Sequence, residues 1–457
     1  MKIKLKKLLT HHKWNEAITL LSKKDIRRLP DSELSILALC LMKTSGYKEV
    51  INKTIGIVEP NVKQYPRTTR IAARAYCMLG EYDKAQTLVQ KAFDASPTQY
   101  WYYLSLGDIH YYFSGNLEKA LELYKQGEKI GSEHLKPHIL SIYRYLLKRI
   151  SHILYDLKRF EDAIPYFEKF KQLEPSNFYE SDFVLYGLCH EKCGNTQKAK
   201  EIWREGTVRR KGNKCKKEIE RVDPELAKTI ELRPLPNSRP GATKIPIKTK
   251  IITEENEASD VIAKSIEGKA EPGDVVTFAS AVAAVSEGRI FSAECIKPSG
   301  IAKFLSGFVT ASSKNSFATT SPLANPLSFQ VAIEIAGLTR ILIATIIGAI
   351  GKLFRIKGWF YHIAGADVAM IDDMPASMAP YDFFVIPGPY DSDVLAELIK
   401  EKTGLEAAII DANDLGIAWV TGASSGVDRK KVKEFMLDNP AGNEDDQTPV
   451  ILIRETR

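Results

Sequence analysis

Cysteine is scarce in this chain of 457 residues, which has six, at positions 40, 77, 189, 193, 215 and 295. The closest set, Cys189, Cys193 and Cys215, lacks a fourth ligand at zinc-finger spacing. The GxSxG, HExxH and GxxxxGK(S/T) patterns of serine hydrolases, zinc proteases and P-loop proteins are also missing. These absences argue against a disulfide scaffold, structural zinc and the common hydrolases. We expect the thiols to be packing residues in a reducing compartment.

Long hydrophobic runs are missing as well. The one stretch that resembles a membrane span, Ile341–Gly351, has eleven residues bounded by Arg340 and Lys352. A helix needs roughly 20 apolar residues to cross a bilayer, so this stretch predicts a buried helix. The opening MKIKLKKLLTHHKW is basic but has no apolar run of the kind found in secretory signals. We therefore expect a cytoplasmic protein that has no membrane partner.

Charge is distributed unevenly along the chain. Residues 1–250 contain 46 Lys and Arg against 29 Asp and Glu, whereas residues 251–457 contain 18 against 28. Such a change of sign predicts two modules with different partners. The only dense basic run, at 209–217, lacks the interleaved aromatic residues that stack on bases. Nucleic acid is therefore not expected as a partner.

The basic half repeats itself. A small residue recurs with spacings of 33, 35, 35, 43 and 36, at Ala17, Val50, Ala85, Ala120, Ala163 and Ala199. Glycines at 46, 80, 115 and 194 precede four of these positions by four or five residues, where the first helix of a pair should end. The longest interval predicts a longer helix around Ser141–Arg149.

This periodicity resembles the tetratricopeptide repeat, a helix pair of about 34 residues in which small side chains allow close packing. The resemblance covers residues 1–212 and implies an α-solenoid, which usually holds a peptide or partner protein in its groove. The alternative is that the helices only cap or dimerise the second module. Residues 213–242 are predicted to form a basic, proline-rich linker, and the five prolines within 223–247 disfavour both helix and central strand there.

From residue 243 onward the pattern changes to alternating strands and helices. Residues 394–404 have helical periodicity and end on glycine. Apolar, largely β-branched segments predict strands at 273–280, 381–388, 407–414 and 448–457. The predicted fold class is an α-solenoid followed by an α/β domain that spans residues 243–457.

A turn of Glu287, Gly288 and Arg289 follows the first of these strands. A backbone turn beside a guanidinium can bind phosphate or carboxylate. The alternative is an ordinary surface turn, because a Glu–Gly–Arg sequence arises often by chance.

Two aspartates, Asp367 and Asp411, each follow an apolar segment that should place them at a strand end or tight turn. The residues between them have the length of one strand and one helix, a crossover that would return the chain to the same sheet edge. We therefore predict that the two carboxylates hold one Mg²⁺ or Mn²⁺ ion, since such ions prefer oxygen ligands. For Asp372, Asp373 and Asp414 the alternative is turn capping.

The order of segments from about 243 to 440 resembles the coenzyme F-420 gamma-glutamyl ligases. The family's EGR turn falls on Glu287–Arg289, its AG-x-D segment on Ala364–Asp367, its proline-and-acid loop on 386–393 and its metal-binding aspartate on Asp411. The resemblance implies GTP as co-substrate, Mg²⁺ or Mn²⁺ as cofactor, and a carboxylate substrate that is joined to an amino acid. It also implies a homodimer formed through residues 243–457.

The same resemblance assigns site residues, although it identifies no catalytic side chain. Nucleotide or substrate binding falls on Glu287, Gly288, Arg289, Gly365, Asn413 and Asp414, and metal binding on Asp367 and Asp411.

The sequence departs from the branch of the family that makes the coenzyme. Two lysines before the EGR turn are replaced by Ala281 and Val285, and an arginine-rich stretch is replaced by LGIAWV at 415–420. Two hypotheses follow. The chain is either a metal- and GTP-dependent amide ligase tethered to protein-binding repeats, or a non-catalytic adaptor whose ligase-like domain is degenerate.

Overall fold

The computed structural model describes residues 2–95, 101–133, 140–173, 175, 178–209, 213–232, 234–309, 322–354, 358–373, 379–413, 416–442 and 446–456. The chain forms two compact units. The first contains Met1–Ala75, Pro236–Pro375 and Phe384–Arg457, and the second contains Tyr76–Leu235 and Ala376–Phe383. This division does not follow the predicted boundaries 1–212, 213–242 and 243–457, because the first 75 residues belong with the α/β domain.

The first unit begins with helices. They are α1 (Lys2–Thr10), α2 (Trp14–Leu21), α3 (Asp31–Thr44), α4 (Tyr47–Val58) and α5 (Pro66–Met78), the last of which ends in the second unit. The repeat positions of this part, Ala17 and Val50, are fully buried. Gly46 ends the first helix of a pair in the left-handed region, with φ of 83°. The predicted helix pairs and their small packing residues are confirmed here.

The second unit continues the helical repeats. Its helices are α6 (Tyr82–Asp94), α7 (Trp101–Asp108), α8 (Leu117–Glu133), α9 (Leu140–Asp156), α10 (Phe160–Leu173), α11 (Glu180–Lys192), α12 (Thr196–Arg209), α13 (Asn213–Val222) and α14 (Pro224–Lys228). Ala85, Ala120, Ala163 and Ala199 are fully buried. Helices α8 and α9 have 17 residues each, against 13 in α6 and 14 in α10. The longer repeat predicted from the 43-residue interval is therefore confirmed.

The prediction that residues 223–247 contain no helix is wrong, because α14 lies there, and α13 also falls within the predicted linker 213–242. Helix α13 buries Cys215 and Ile219, and its basic residues occupy the remaining face. Pro224 is tolerated because it lies in the first turn of α14, where its missing N–H would have no helical partner. The prolines of this segment are therefore compatible with short helices.

A buried ion cluster lies within the second unit. The Arg149 guanidinium donates two hydrogen bonds of 2.7 Å to the carboxylate of Asp382 and one of 3.0 Å to Oδ1 of Asp108. The Tyr124 hydroxyl donates to the same Asp108 oxygen at 2.6 Å. The side chains of Arg149 and Asp382 are 3% and 0% exposed, so the pair is shielded from water. Asp382 belongs to the short segment 376–383, which this pair fastens to helix α9.

The strands all belong to the first unit. They are β1 (Ala242–Ile247), β2 (Val275–Ala279), β3 (Phe291–Ser292), β4 (Asp372–Asp373), β5 (Phe384–Ile386), β6 (Glu406–Asn413), β7 (Ile417–Ala423) and β8 (Val450–Glu455). The helices among them are α15 (Ala258–Ile266), α16 (Ser280–Ser286), α17 (Gly300–Ser306), α18 (Pro326–Ala336), α19 (Leu338–Leu353), α20 (Trp359–Ala364), α21 (Ala366–Ala369), α22 (Ser392–Thr403) and α23 (Arg429–Phe435). The predicted α/β domain is confirmed.

Two sheets are formed. The larger has the order β1-β8-β2-β6-β7, in which only β2 and β6 pair in parallel, and the smaller has the order β3-β5-β4. Strands β5 and β6 lie in different sheets, so the predicted crossover that returns the chain to one sheet edge is wrong. Pro246 fits in β1 because this strand forms an edge, where a missing ladder donor is tolerated.

The larger sheet is covered on both faces. Alternate residues of β8 point to opposite sides, with Val450 and Leu452 in one apolar cluster and Ile451 and Ile453 in the other. The first cluster includes residues of α15 and α22, and the second includes residues of α23. The core of this unit therefore consists of two apolar layers that sandwich the sheet.

Helix α19 differs from the buried helix predicted at Ile341–Gly351. Ile341 and Ala344 are fully buried, but Ile343, Ile346 and Ile350 are 44–62% exposed. No single helix in the described part of the chain is long and apolar enough to cross a membrane. Helices α18 and α19 meet the length and composition criteria only as a pair bent by 116°.

Candidate functional site

The EGR turn lies directly after α16, and its central glycine is required by geometry. Gly288 has φ of 69°, and a Cβ at this position would approach Cδ2 of Leu39 to 2.4 Å. Leu39 lies on α3, so the turn packs closely against one of the first helices. A side chain at position 288 would both strain the backbone and displace the Leu39 side chain.

Glu287, the first residue of the turn, is fully buried and bonded on both oxygens. Its Oε1 lies 3.2 Å from Nε2 of His12, and its Oε2 accepts a 2.5 Å hydrogen bond from the backbone N–H of Tyr390. The other ring nitrogen of His12 lies 2.9 Å from Oε2 of Glu257. Burial alone would lower the pKa of His12, but the two carboxylates outweigh it and raise the pKa to about 9.

Glu257 connects further residues of the first helices to this turn. It accepts hydrogen bonds from the Trp14 indole at 2.7 Å and from the Lys43 ammonium at 3.3 Å. Lys43, whose side chain is 1% exposed, also donates to the backbone oxygens of Asn256 and Ser286. Burial would raise the pKa of Glu257, but bonding to His12 and the charge of Lys43 hold it below its ordinary value.

Arg289, the last residue of the turn, brings two other predicted segments to the same place. Its Nη1 donates to the backbone oxygen of Pro389 at 2.6 Å and lies 3.6 Å from Oδ1 of Asp367. Its guanidinium carbon lies 4.9 Å from the centre of the Tyr390 ring. The EGR turn, the Asp367 segment and the 386–393 loop therefore meet around one arginine.

Asp367 sits in the first turn of the short helix α21, after a tight turn at Gly365 with φ of 104°. This φ favours glycine at position 365, and a Cβ there would also approach Nη2 of the flexible Arg340 side chain to 2.9 Å. Besides Arg289, Asp367 pairs with the Lys6 ammonium at 3.3 Å. The apolar segment before it forms helix α20, not a strand.

The remaining predicted site residues lie at β6. Asp411 is opposite Trp419 of β7 and, within the described residues, its side chain makes no hydrogen bond or ion pair. The surrounding chain removes water from its carboxylate and raises its pKa, although part of the residue stays open to solvent. Asn413 accepts a hydrogen bond from the N–H of Ile417 at 3.2 Å, and Asp414 lies outside the described residues.

The residues around Asp367 do not fit a divalent metal ion. Lys6 and Arg289 already compensate this carboxylate, and a cation would have to displace both or be repelled by them. Across the described ranges, no group of three or more His, Cys, Asp or Glu side chains is placed to hold a metal. A shared site of Asp367 and Asp411 thus remains a prediction without a supporting contact.

The sequence reasoning missed the contribution of the first helices. Arg70 of α5 donates to Glu254 at 3.0 Å, and Arg74 forms a two-bond pair with Glu255 at 2.7 and 3.1 Å. Together with Glu257 these acids form a short acidic run, EENE at 254–257, opposite basic helices. The opposite charges of the acidic run and the first helices could have predicted this contact from the sequence. The repeat periodicity, however, assigns these helices only to the solenoid.

The repeats contain their own cavity, of about 480 Å³, between α10, α11 and α12. Its lining is mostly charged and polar, and consists of Glu168, Lys171, Gln172, Pro175, Tyr186, Lys198, Glu201, Ile202 and Glu205. This composition suits a polar peptide segment better than an apolar small molecule.

Comparisons with known proteins agree with this two-part description. Residues 246–437 match the family model of F420-0:Gamma-glutamyl ligase, and residues 149–177 match a tetratricopeptide repeat model. A search of the curated proteins finds no match. The chain therefore combines a ligase-like domain with tetratricopeptide repeats.

Solved structures that are similar to this chain contain helical repeats. A crystal structure of MamA protein has 15% identity and a TM-score of 0.30, covering 44% of this chain and 100% of its own. TPR-like repeats of a kinesin light chain from Podosopora anserina have 13% identity and a TM-score of 0.31, covering 44% and 99%.

Proposed function

We propose that this chain is a non-catalytic adaptor in which the repeats bind a partner protein. The ligase-like domain then serves as a structural support whose EGR turn holds the first helices. The observation that carries this proposal is the state of Glu287, which is fully buried and bonded to His12 and Tyr390 within the chain.

A residue that binds nucleotide or substrate must offer free donors or acceptors. Arg289 is 8% exposed and already bonded to Pro389, and Asp367 is compensated by two cations. Releasing Arg289 to a ligand would leave the backbone oxygen of the buried Pro389 unsatisfied, at a cost of about 1–3 kcal/mol. This cost supports a structural role for the turn.

Titration calorimetry of the full chain with GTP and with ATP, each with Mn²⁺, tests the proposal. We expect no binding heat at millimolar nucleotide. Saturable binding that Arg289→Ala removes, while Arg239→Ala at an exposed pair with Glu434 leaves it intact, would overturn the adaptor function. The folding of both variants is checked by circular dichroism.

A second candidate is the nucleotide-dependent amide ligase, favoured by the convergence of three predicted segments on Arg289. In that reaction the nucleotide phosphorylates a carboxylate, and an amine then displaces the phosphate to form an amide. Arg289 would contact the phosphate or the carboxylate. The metal that this family uses would need ligands other than Asp367. Phosphate release from GTP that requires both a carboxylate and an amino acid would favour this candidate.

The partner of the repeats is proposed to bind at the cavity between α10, α11 and α12. A photo-cross-linking amino acid at Glu201 should yield an adduct with one defined protein in cells, and the same residue at exposed Lys228 should not. Equal labelling from both positions would contradict a specific groove.

The homodimer through residues 243–457 stays a prediction, which light scattering of the full chain tests.

A further inference from the structure

Helix α19 presents an apolar face that no described part of the chain covers. Its exposed residues Ile343, Ile346, Ile350 and Leu353 recur at spacings of three or four, which places them along one side of the helix, and the exposed Leu342 lies beside Ile343. Ile346 is 62% exposed and Leu353 is 80% exposed. Soluble helices normally bury such a stripe, so the face indicates an interaction surface.

Aromatic residues are also exposed in the segments that precede and follow α18 and α19 in sequence. Phe304 and Phe308, near the end of α17, are 66% and 63% exposed, and their ring centres are 4.9 Å apart. Phe354, directly after α19, is 66% exposed, and Trp359 is 36% exposed. Aromatic rings of this kind are enriched where proteins meet the boundary between lipid and water.

The charge of the same region is opposite to that of the surrounding domain. Residues 295–366 contain seven Lys and Arg against one acidic residue, Glu334. The other residues of 251–457 contain 11 Lys and Arg against 27 Asp and Glu. Among the described basic residues, Lys297, Lys303 and Arg340 are exposed. The apolar face therefore lies in a basic segment of an otherwise acidic domain.

From these observations we propose that α19 and the exposed end of α17 dock on the surface of an anionic phospholipid bilayer. The apolar side chains would enter the boundary between head groups and acyl chains, and the basic residues would contact lipid phosphates. A second copy of this chain is the less favourable occupant, because it would bring two equally basic segments together.

Vesicle flotation of the full chain tests this surface. We expect flotation with vesicles of phosphatidylglycerol and phosphatidylcholine in equal parts, weakening as salt is raised, and none with pure phosphatidylcholine. The double variant Ile343→Glu/Ile346→Glu should reduce the bound fraction at least tenfold, by removing apolar contact and adding negative charge. Both positions are exposed, so the fold should persist, as unchanged melting would show.

A matched control is the double variant Ile251→Glu/Ile417→Glu, which makes the same charge change at exposed isoleucines elsewhere in the unit. It should retain binding within twofold of the unmodified chain. Absence of flotation with anionic vesicles, or equal loss in both double variants, would overturn the proposal. So would a dimer in light scattering that only Ile343→Glu/Ile346→Glu dissociates, because a second copy would then cover the face.

Discussion

Replacing His12 by glutamine should remove a pH-dependent part of the stability of the first unit. His12 lies between Glu257 at 2.9 Å and Glu287 at 3.2 Å, and its side chain is 11% exposed. Lys43 is the other charged group at this cluster, and it contacts Glu257. Glutamine keeps a hydrogen-bonding side chain but cannot carry the proton that compensates the two carboxylates.

The size of the effect follows from the pKa of His12. Folding raises this pKa from 6.5 to about 9, so the folded state binds the proton more tightly than the unfolded state. The resulting stabilisation is fully present below pH 6.5 and disappears as the pH rises through about 9. At 1.36 kcal/mol for each pKa unit, it amounts to about 3 kcal/mol.

Urea unfolding between pH 6 and pH 9.5 measures this contribution. The unmodified chain should lose about 3 kcal/mol more than His12→Gln over this interval, so the two unfolding free energies should converge at high pH. The variant His11→Gln, at an exposed neighbouring histidine, should follow the unmodified chain. Parallel curves for His12→Gln and the unmodified chain would refute the reasoning.

Three further substitutions test packing and backbone conformation inside each unit, and their effects are measured by thermal or urea unfolding. Gly187→Ala should cost about 1–3 kcal/mol, because its Cβ would lie 2.1 Å from Nε1 of the buried Trp203. Arg149→Met should cost about 3–5 kcal/mol, because it leaves the Asp382 carboxylate buried without its cation. Gly404→Ala should cost about 1 kcal/mol, since φ of 74° ends α22 in the left-handed region although space is open.

Gly187→Ala has a matched control, and Arg149→Met has a compensating second substitution. Gly56→Ala, in a helix with open space around it, should be neutral or stabilising, and a loss equal to that of Gly187→Ala would contradict the packing argument. Adding Asp382→Leu to Arg149→Met should recover part of the lost stability, and additive losses would contradict the pairing. A neutral Gly404→Ala would show that the helix end adjusts freely.

Local pattern predicted the repeats and four of the eight strands in the described residues, namely β2, β5, β6 and β8. The recurring small residues report helix packing directly, and every one of them is buried. The strand at 407–414 appears as β6 within one residue at either end, because a continuous apolar run and a following turn mark it. These features depend only on neighbours in sequence.

The parts that failed depend on pairing over long distances. Residues Asp367 and Asp411 seemed joined by one crossover, but β5 and β6 belong to different sheets. The repeat periodicity assigned the first helices only to the solenoid, whereas Lys43 of α3 is buried and donates to the backbone oxygen of Ser286, just before the EGR turn. A periodic pattern of residues predicts neither result, because both depend on which segments, far apart in sequence, contact each other in the folded chain.

The interleaved order of the first unit has a consequence during synthesis on the ribosome. His12 and Glu257 are separated by 245 positions, and the stretch between Ala75 and Pro236 must be made before the α/β domain begins. At roughly 5–20 residues per second, this stretch of about 160 residues takes about 10 to 30 seconds. During that time helices α1 to α4 expose Trp14 and Leu39 without their eventual neighbours. The nascent chain therefore presents a surface that a chaperone could bind.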